Sequence, residues 1–314
     1  MAPGDTSTST VLTADGPQIA CGKAKVDRHA DITYASPTTA GTKVDLKMDV
    51  LVPAAEGAQP AVVYLPGGGF ANASKEAALD QRTYVAEAGF VVASIQYRTT
   101  TNGATYLDAV KDVRSAVRYL RAHAAEYGID PEHIAVYGES AGGYLAAMVG
   151  TTNGVKDFEA GDNLDLSGDV QAVVDKFGPS DLAKIGADFD AAAQQANVRP
   201  GNNAARWVFG QGTTKSVTAD PAAVKRANPV TYVDPTDPAF LLLHGDDDRL
   251  VSPSQTLLVH NALRANGVDT TRYVVKGAGH GDLAFVGDPQ SGMLWTTQKV
   301  MDPIVNFLTS HLKS

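Results

Sequence analysis

The sequence predicts an α/β protein: a mostly parallel central sheet with helices on both faces, joined by antiparallel strands from its N-terminal part. Three observations carry this. Short, wholly apolar runs alternate with segments of helical periodicity after about residue 60, the pattern of parallel strands connected by helices. Before that point polar and apolar residues alternate, as in half-exposed antiparallel strands. Finally, Gly138-Glu139-Ser140-Ala141-Gly142 stands between an apolar run and a helix-like segment, so that a strand meets a helix across a sharp turn.

Taken in order, Asp31–Tyr34 and Thr42–Val50 alternate and are expected to be the antiparallel strands. Ala61–Leu65 and Phe90–Ile95 are apolar throughout, as strands covered on both faces must be. Between Tyr106 and Leu120, residues Tyr106, Ala109, Val110, Val113, Val117 and Leu120 recur at three and four, which makes one buried helix face. Ile134–Tyr137 leads into the Ser140 turn. Val170–Val174, Ala239–Leu243 and Thr271–Val275 read as further buried strands, with helices near Pro253–Ala265 and Leu294–Leu312. The stretch from about 181 to 237 has a different texture and is expected to be a helical insertion over the carboxyl ends of the strands, where such sheets bind ligands. No internal repeat is visible, and the expectation is one domain over residues 1–314.

Composition narrows the class. With 44% apolar and 19% charged residues among 314, the chain has the make-up of a globular protein with a sizeable core. Its net charge of −9 argues against nucleic acid or an anionic membrane surface as partner. No apolar stretch approaches the roughly 20 residues of a membrane span. Cys21 is the single cysteine, so no intramolecular disulfide can form. Met1–Thr10 has neither a basic n-region nor an apolar h-region, and residues 1–25 read as a polar extension. The expectation is a secreted protein in its mature form, with a cytoplasmic location as the alternative.

Ser140 is the candidate nucleophile. A serine hydroxyl is weak near neutral pH and needs a base in hydrogen-bond reach, itself oriented by a carboxylate. Of seven histidines, His29 lies in the early β section, and His123 and His133 lie around the connection at the far end of the Ser140 strand. His260 and His311 fall in predicted helices. His244 closes a buried strand and is the rival. His280, in the loop Gly277–Gly281 after the last strand, fits the chain order best. The acid should precede it, and Gly245-Asp246-Asp247-Asp248 follows a strand. Asp248, furthest along the turn, is preferred; Asp246 suits a turn former and Asp247 stays open. In Pro66-Gly67-Gly68-Gly69-Phe70 three glycines let backbone N–H groups approach a ligand, so Gly68 and Gly69, with the Ala141 N–H, are candidates for an oxyanion hole.

Together, Gly67–Phe70, Gly138–Gly143, His244–Asp248 and Gly279–Gly281 resemble the α/β-hydrolase carboxylesterases, best the group of bifunctional feruloyl and acetyl xylan esterases near the hormone-sensitive-lipase-like enzymes. Asp108–Leu120 and Tyr127–Pro131 are similar to that group's helix and lead-in, and the likeness runs from about Asp45 onward. The group usually has His before the three glycines; here it is Pro66. The resemblance implies the α/β-hydrolase fold and ester hydrolysis through an acyl-enzyme, with Ser140, His280 and Asp248 in the catalytic roles and no metal or cofactor. It implies a small-molecule or polysaccharide-linked ester as substrate. A feruloyl ester is expected, with Phe70, Tyr144, Trp207, Phe209 and Phe285 as candidate substrate-binding rings. A generic short-chain carboxylesterase is the alternative. A prolyl-oligopeptidase-type peptidase or a non-catalytic binding protein fits less well, since no propeller repeat is present and none of these residues has been lost.

Overall fold

The computed structural model describes residues 5–281 and 292–313. Its strands are β1 (Thr10–Leu12), β2 (Val26–Ala35), β3 (Thr38–Thr39), β4 (Thr42–Lys43), β5 (Leu46–Pro53), β6 (Gln59–Leu65), β7 (Val91–Ile95), β8 (Ile129–Glu139), β9 (Ala172–Lys176), β10 (Ala239–Gly245) and β11 (Thr270–Val275). Nine of them form one sheet in the order β1-β11-β10-β9-β8-β6-β7-β5-β2. Pairing is parallel from β1 through β7 in that order, and antiparallel where β5 meets β7 and β2. This is the α/β-hydrolase fold.

The helices are α1 (Leu79–Glu87), α2 (Tyr106–Ala122), α3 (Ala124–Tyr127), α4 (Ala141–Thr151), α5 (Ala191–Asn197), α6 (Asn203–Phe209), α7 (Pro221–Arg226), α8 (Ser254–Ala265) and α9 (Gln298–Leu312). A strand's side chains alternate between faces, and β6 shows the result. Ala61, Val63 and Leu65 enter a core shared with α2, α4 and α8, whereas Val62 and Tyr64 enter one shared with α1 and α9. Both faces are therefore dry, which is why β6 reads as continuously apolar. Helix α2 starts where expected because Thr105 and Asp108 cap it reciprocally, the Asp108 carboxylate accepting from the Thr105 N–H at 2.9 Å.

Three boundaries differ from the sequence expectation. The strand expected over Thr42–Val50 is split: Thr42–Lys43 folds back on Thr38–Thr39 through a turn with positive φ at Ala40 and Gly41, and β5 proper begins at Leu46. The last helix is preceded by a separate 3₁₀ turn over Leu294–Thr296, because Thr297 is extended (ψ 149°) and serves as N-cap for α9. Within the N-terminal extension, Thr10–Leu12 adds a parallel edge strand beside β11. Among the described residues no helix is long and apolar enough to cross a membrane.

Between β9 and β10 the chain carries α5, α6 and α7. This segment is tied to the loop after β10: the Ser252 N–H donates to the Ile185 carbonyl at 2.8 Å, and the Ser254 N–H to Asp188 at 2.9 Å. All the candidate site residues in the described part sit at the same end of the sheet or on this segment.

Candidate active site

Ser140 lies between β8 and α4 with φ 55° and ψ −118°, a conformation L-residues rarely adopt. The flanking glycines make the turn possible. A Cβ on Gly138 would overlap the Gly142 carbonyl, and one on Gly142 would overlap the Leu65 carbonyl of β6. The Ser140 N–H donates to the Lys176 carbonyl at 2.9 Å, fixing the turn against the end of β9. Its hydroxyl stands 2.7 Å from His280 Nε2.

His280 arrives on the loop after β11 and Asp248 on the loop after β10. His280 Nδ1 is 2.7 Å from Asp248 Oδ2, and both side chains are buried. The structure thus brings Ser140, His280 and Asp248 into one hydrogen-bonded line. Asp248 Oδ1 accepts from the N–H groups of Leu250 and Val251 at 2.9 and 3.0 Å. Burial on its own would raise the Asp248 carboxyl. Electrostatic attraction from His280 and hydrogen bonding from His244 and His280 outweigh it and hold the group well below the ordinary carboxylate range. The Phe177 ring packs on His280 with centroids 4.7 Å apart, and Trp295 Nε1 donates to the neighbouring Gly279 carbonyl at 3.0 Å. Such a line can move a proton from serine to imidazole while the carboxylate steadies the imidazolium.

The remaining histidines are elsewhere. His244, the rival base, is fully buried beside Asp248, with Nε2 at 3.2 Å from the same Oδ2 that faces His280. Asp246 and Asp247 are exposed: Asp246 accepts from the Gly277 N–H, and Asp247 pairs with Arg249 at 3.0 Å.

The glycine loop follows β6 and is held in unusual geometry, with φ 152° at Gly68, 59° at Gly69 and 64° at Phe70. The Gly68 carbonyl accepts from Ala71 and Asn72, and the Phe70 carbonyl from the Thr100 N–H and hydroxyl. Pro66, which replaces the usual histidine, has its carbonyl fixed by the Tyr97 hydroxyl at 2.6 Å. No described residue accepts a hydrogen bond from the N–H of Gly68, Gly69 or Ala141. Three donors are therefore unspent around the Ser140 turn.

Three of the five candidate substrate-binding rings, Phe70, Tyr144 and Trp207, lie together. Phe70 stacks on Trp207 at 5.0 Å and meets Tyr144 edge-on at 5.5 Å, while the Tyr144 hydroxyl donates to the Ala227 carbonyl. Tyr144 and Trp207 are fully buried and Phe70 is 5% exposed. These rings pack on one another beside the glycine loop. Phe209 is half-buried at the end of α6, with Lys215 Nζ 5.1 Å above its ring. Phe285 lies outside the described residues.

Sequence reading missed the floor of the site. Lys176, fully buried, donates to Glu139 at 2.6 Å and to Gln81 at 2.7 Å, directly under the Ser140 turn, and faces the Trp295 ring at 5.1 Å. The only signal was a charged pair at the ends of two apolar strands. Asp175 beside it is fully buried, accepts from the Gly178 N–H at 2.8 Å, and has no partner for Oδ2 among the described residues. Burial lifts its pKa from 3.8 to about 7, against the lowering effect of the Gly178 bond. Because the folded state holds this proton after the unfolded chain has released it, stability falls as pH rises from about 4 to about 7. Asp175→Asn is expected to flatten that fall, seen as a smaller drop in Tm across the same window. An unchanged Tm–pH curve would show that Asp175 is ionised in the folded protein.

Known proteins share this fold. The BD-FAE family profile matches residues 48–263. A carbohydrate esterase from gut microbiota, solved in truncated form, superimposes with a TM-score of 0.77 at 28% identity, over 96% of this chain and 100% of that one. A bifunctional GH43-CE protein of Bacteroides eggerthii gives a TM-score of 0.73 at 29% identity, over 90% of this chain and 38% of that one. In sequence the chain is 31% identical to the probable carboxylic ester hydrolase LipM of Mycobacterium tuberculosis over 63% of its own length and 43% of LipM. The chain spans about half the length of the curated relatives it matches. With the profile covering well over half its residues, the chain belongs to the BD-FAE family.

Proposed function

We propose that this protein is a serine carboxylic ester hydrolase working through an acyl-enzyme. The observation that carries the reading is the line from Ser140 Oγ through His280 to Asp248, each link 2.7 Å. Ser140 Oγ attacks the ester carbonyl carbon while its proton passes to His280 Nε2. Asp248 stabilises the imidazolium, and the N–H groups of Gly68, Gly69 and Ala141 receive the oxyanion. The C–O bond to the alcohol breaks, the alcohol takes the proton from Nε2, and the acyl group stays on Ser140. Water then gives its proton to His280 and attacks the acyl carbon. The acid leaves as Ser140 regains its proton.

For the substrate we propose a carbohydrate-linked ester with a short acyl group such as acetyl. The carbohydrate esterase among the structural relatives supports the alcohol side. The mutual packing of Phe70, Tyr144 and Trp207 supports a short acyl group, since these rings offer no free face for a hydroxycinnamoyl ring to stack on. A feruloyl ester is the second reading, favoured by half-buried Phe209 on α6, the helix whose Asn203 borders Gly69. The test is kcat/KM on acetylated xylan, methyl ferulate and p-nitrophenyl esters of increasing chain length. Acetyl esters are expected to be best. Preference for methyl ferulate would favour the feruloyl reading over the acetyl one, and failure on every ester would remove the esterase reading.

A further inference from the structure

Behind Asp248 the hydrogen bonding does not stop. His244 Nε2 is 3.0 Å from the Val251 carbonyl oxygen and 3.2 Å from Asp248 Oδ2, so one N–H faces both acceptors. Two acceptors at Nε2 require the proton there, which leaves Nδ1 as an acceptor. His244 Nδ1 is 3.0 Å from Thr256 Oγ1 on α8. That hydroxyl in turn accepts from Arg272 Nε of β11 at 3.0 Å. With Arg272 donating to its oxygen, the Thr256 hydroxyl turns its proton to His244 Nδ1 at 3.0 Å, closer than its other acceptor, the Pro253 carbonyl at 3.5 Å. Arg272 also donates to the Pro253 carbonyl and Ser9 Oγ, both at 2.8 Å and neither of them charged. His244, Thr256 and Arg272 are all buried.

We infer that Arg272, Thr256 and His244 form a positioning relay that locks His244 in its Nε2–H tautomer and thereby holds Asp248 Oδ2 in line with His280, with Ser9 of the N-terminal segment as its outer anchor. The inference rests on Asp248 being the acid of the proposed mechanism, although the tautomer it assigns is independent of any activity. A buried imidazole beside a guanidinium favours the neutral form, and burial lowers the His244 pKa, against the raising effect of Asp248. The Thr256 donor at Nδ1 adds to the two acceptors at Nε2 in disfavouring the other tautomer. With the proton on Nδ1, an imidazole lone pair would face the Asp248 carboxylate and push it out of place.

Two measurements decide this. In ¹⁵N-labelled wild-type protein at neutral pH, two-bond ¹H–¹⁵N correlations are expected to show His244 as the Nε2–H tautomer, with His244→Gln used only to assign its signals. A Nδ1–H tautomer or an imidazolium would overturn the relay. In kinetics, Thr256→Val is expected to lower kcat about tenfold, the cost of one hydrogen bond, with KM within about twofold. Thr256→Ser, which keeps the hydroxyl, is expected to recover kcat to within about threefold of wild type. Wild-type kcat in a folded Thr256→Val variant would also overturn it. Should the wild-type protein hydrolyse no ester, the functional reading falls, and the tautomer alone decides the relay.

Discussion

Ser140→Ala is expected to lower kcat for ester hydrolysis by about 10⁵- to 10⁶-fold, the loss typical of removing a serine nucleophile. The fold is expected to persist. Alanine and serine carry the same Cβ at φ 55°, so the strain of the turn is unchanged, and the Ser140 N–H keeps its bond to Lys176. The hydroxyl's recorded partner is His280, so one hydrogen bond is lost. That is a Tm shift of no more than about 4 °C for a chain of this size. Retention of most of the wild-type turnover would mean that another group attacks the ester.

Asp248→Asn is expected to lower kcat about 10⁴-fold, far more than Asp246→Asn or Asp247→Asn, which should stay within about threefold. The reason lies in how the carboxylate is held. Oδ1 faces two backbone N–H donors, Leu250 and Val251, so an asparagine must place its carbonyl oxygen there. Its amide NH₂ then occupies the Oδ2 position, pointing at His280 Nδ1 and at the N–H of His244. The imidazole of His280 is forced to accept at Nδ1 and to carry its proton on Nε2, toward Ser140. It can no longer take the serine proton. Asp246 and Asp247 make only exposed contacts, and an asparagine can keep the Gly277 bond. Equal losses at all three positions would leave the acid unassigned.

Much of this was legible because the constraints are local. Gly138 and Gly142 are dictated by overlaps with backbone atoms that no side-chain choice can avoid, and such positions stand out in a sequence. The apolar runs at β6, β7 and β10 are legible because both faces of the sheet are covered. What was not legible depends on pairing across the chain. Trp207 and Phe70 are far apart in sequence, and nothing in either neighbourhood reveals that they stack on each other. His244 was weighed as the base; its actual place beside the acid follows from α8 and β11 closing over it. A three-residue strand such as β1, with Val11 half exposed, has too little pattern to announce itself.

That strand has a consequence for how the molecule is made. Thr10 pairs with Tyr273, so Thr10–Leu12 leaves the ribosome about 260 residues before its partner exists. At synthesis rates of about 5–20 residues per second, it waits on the order of tens of seconds. Paired on β10 without β1, strand β11 would present its outer backbone groups bare. Proteolytic trimming of the leading dozen residues would make that bareness permanent, leaving Tyr273, Val274 and Val275 as a template for sticking to another molecule's sheet. The leading segment thus acts as a cover for a sheet margin that would otherwise invite aggregation.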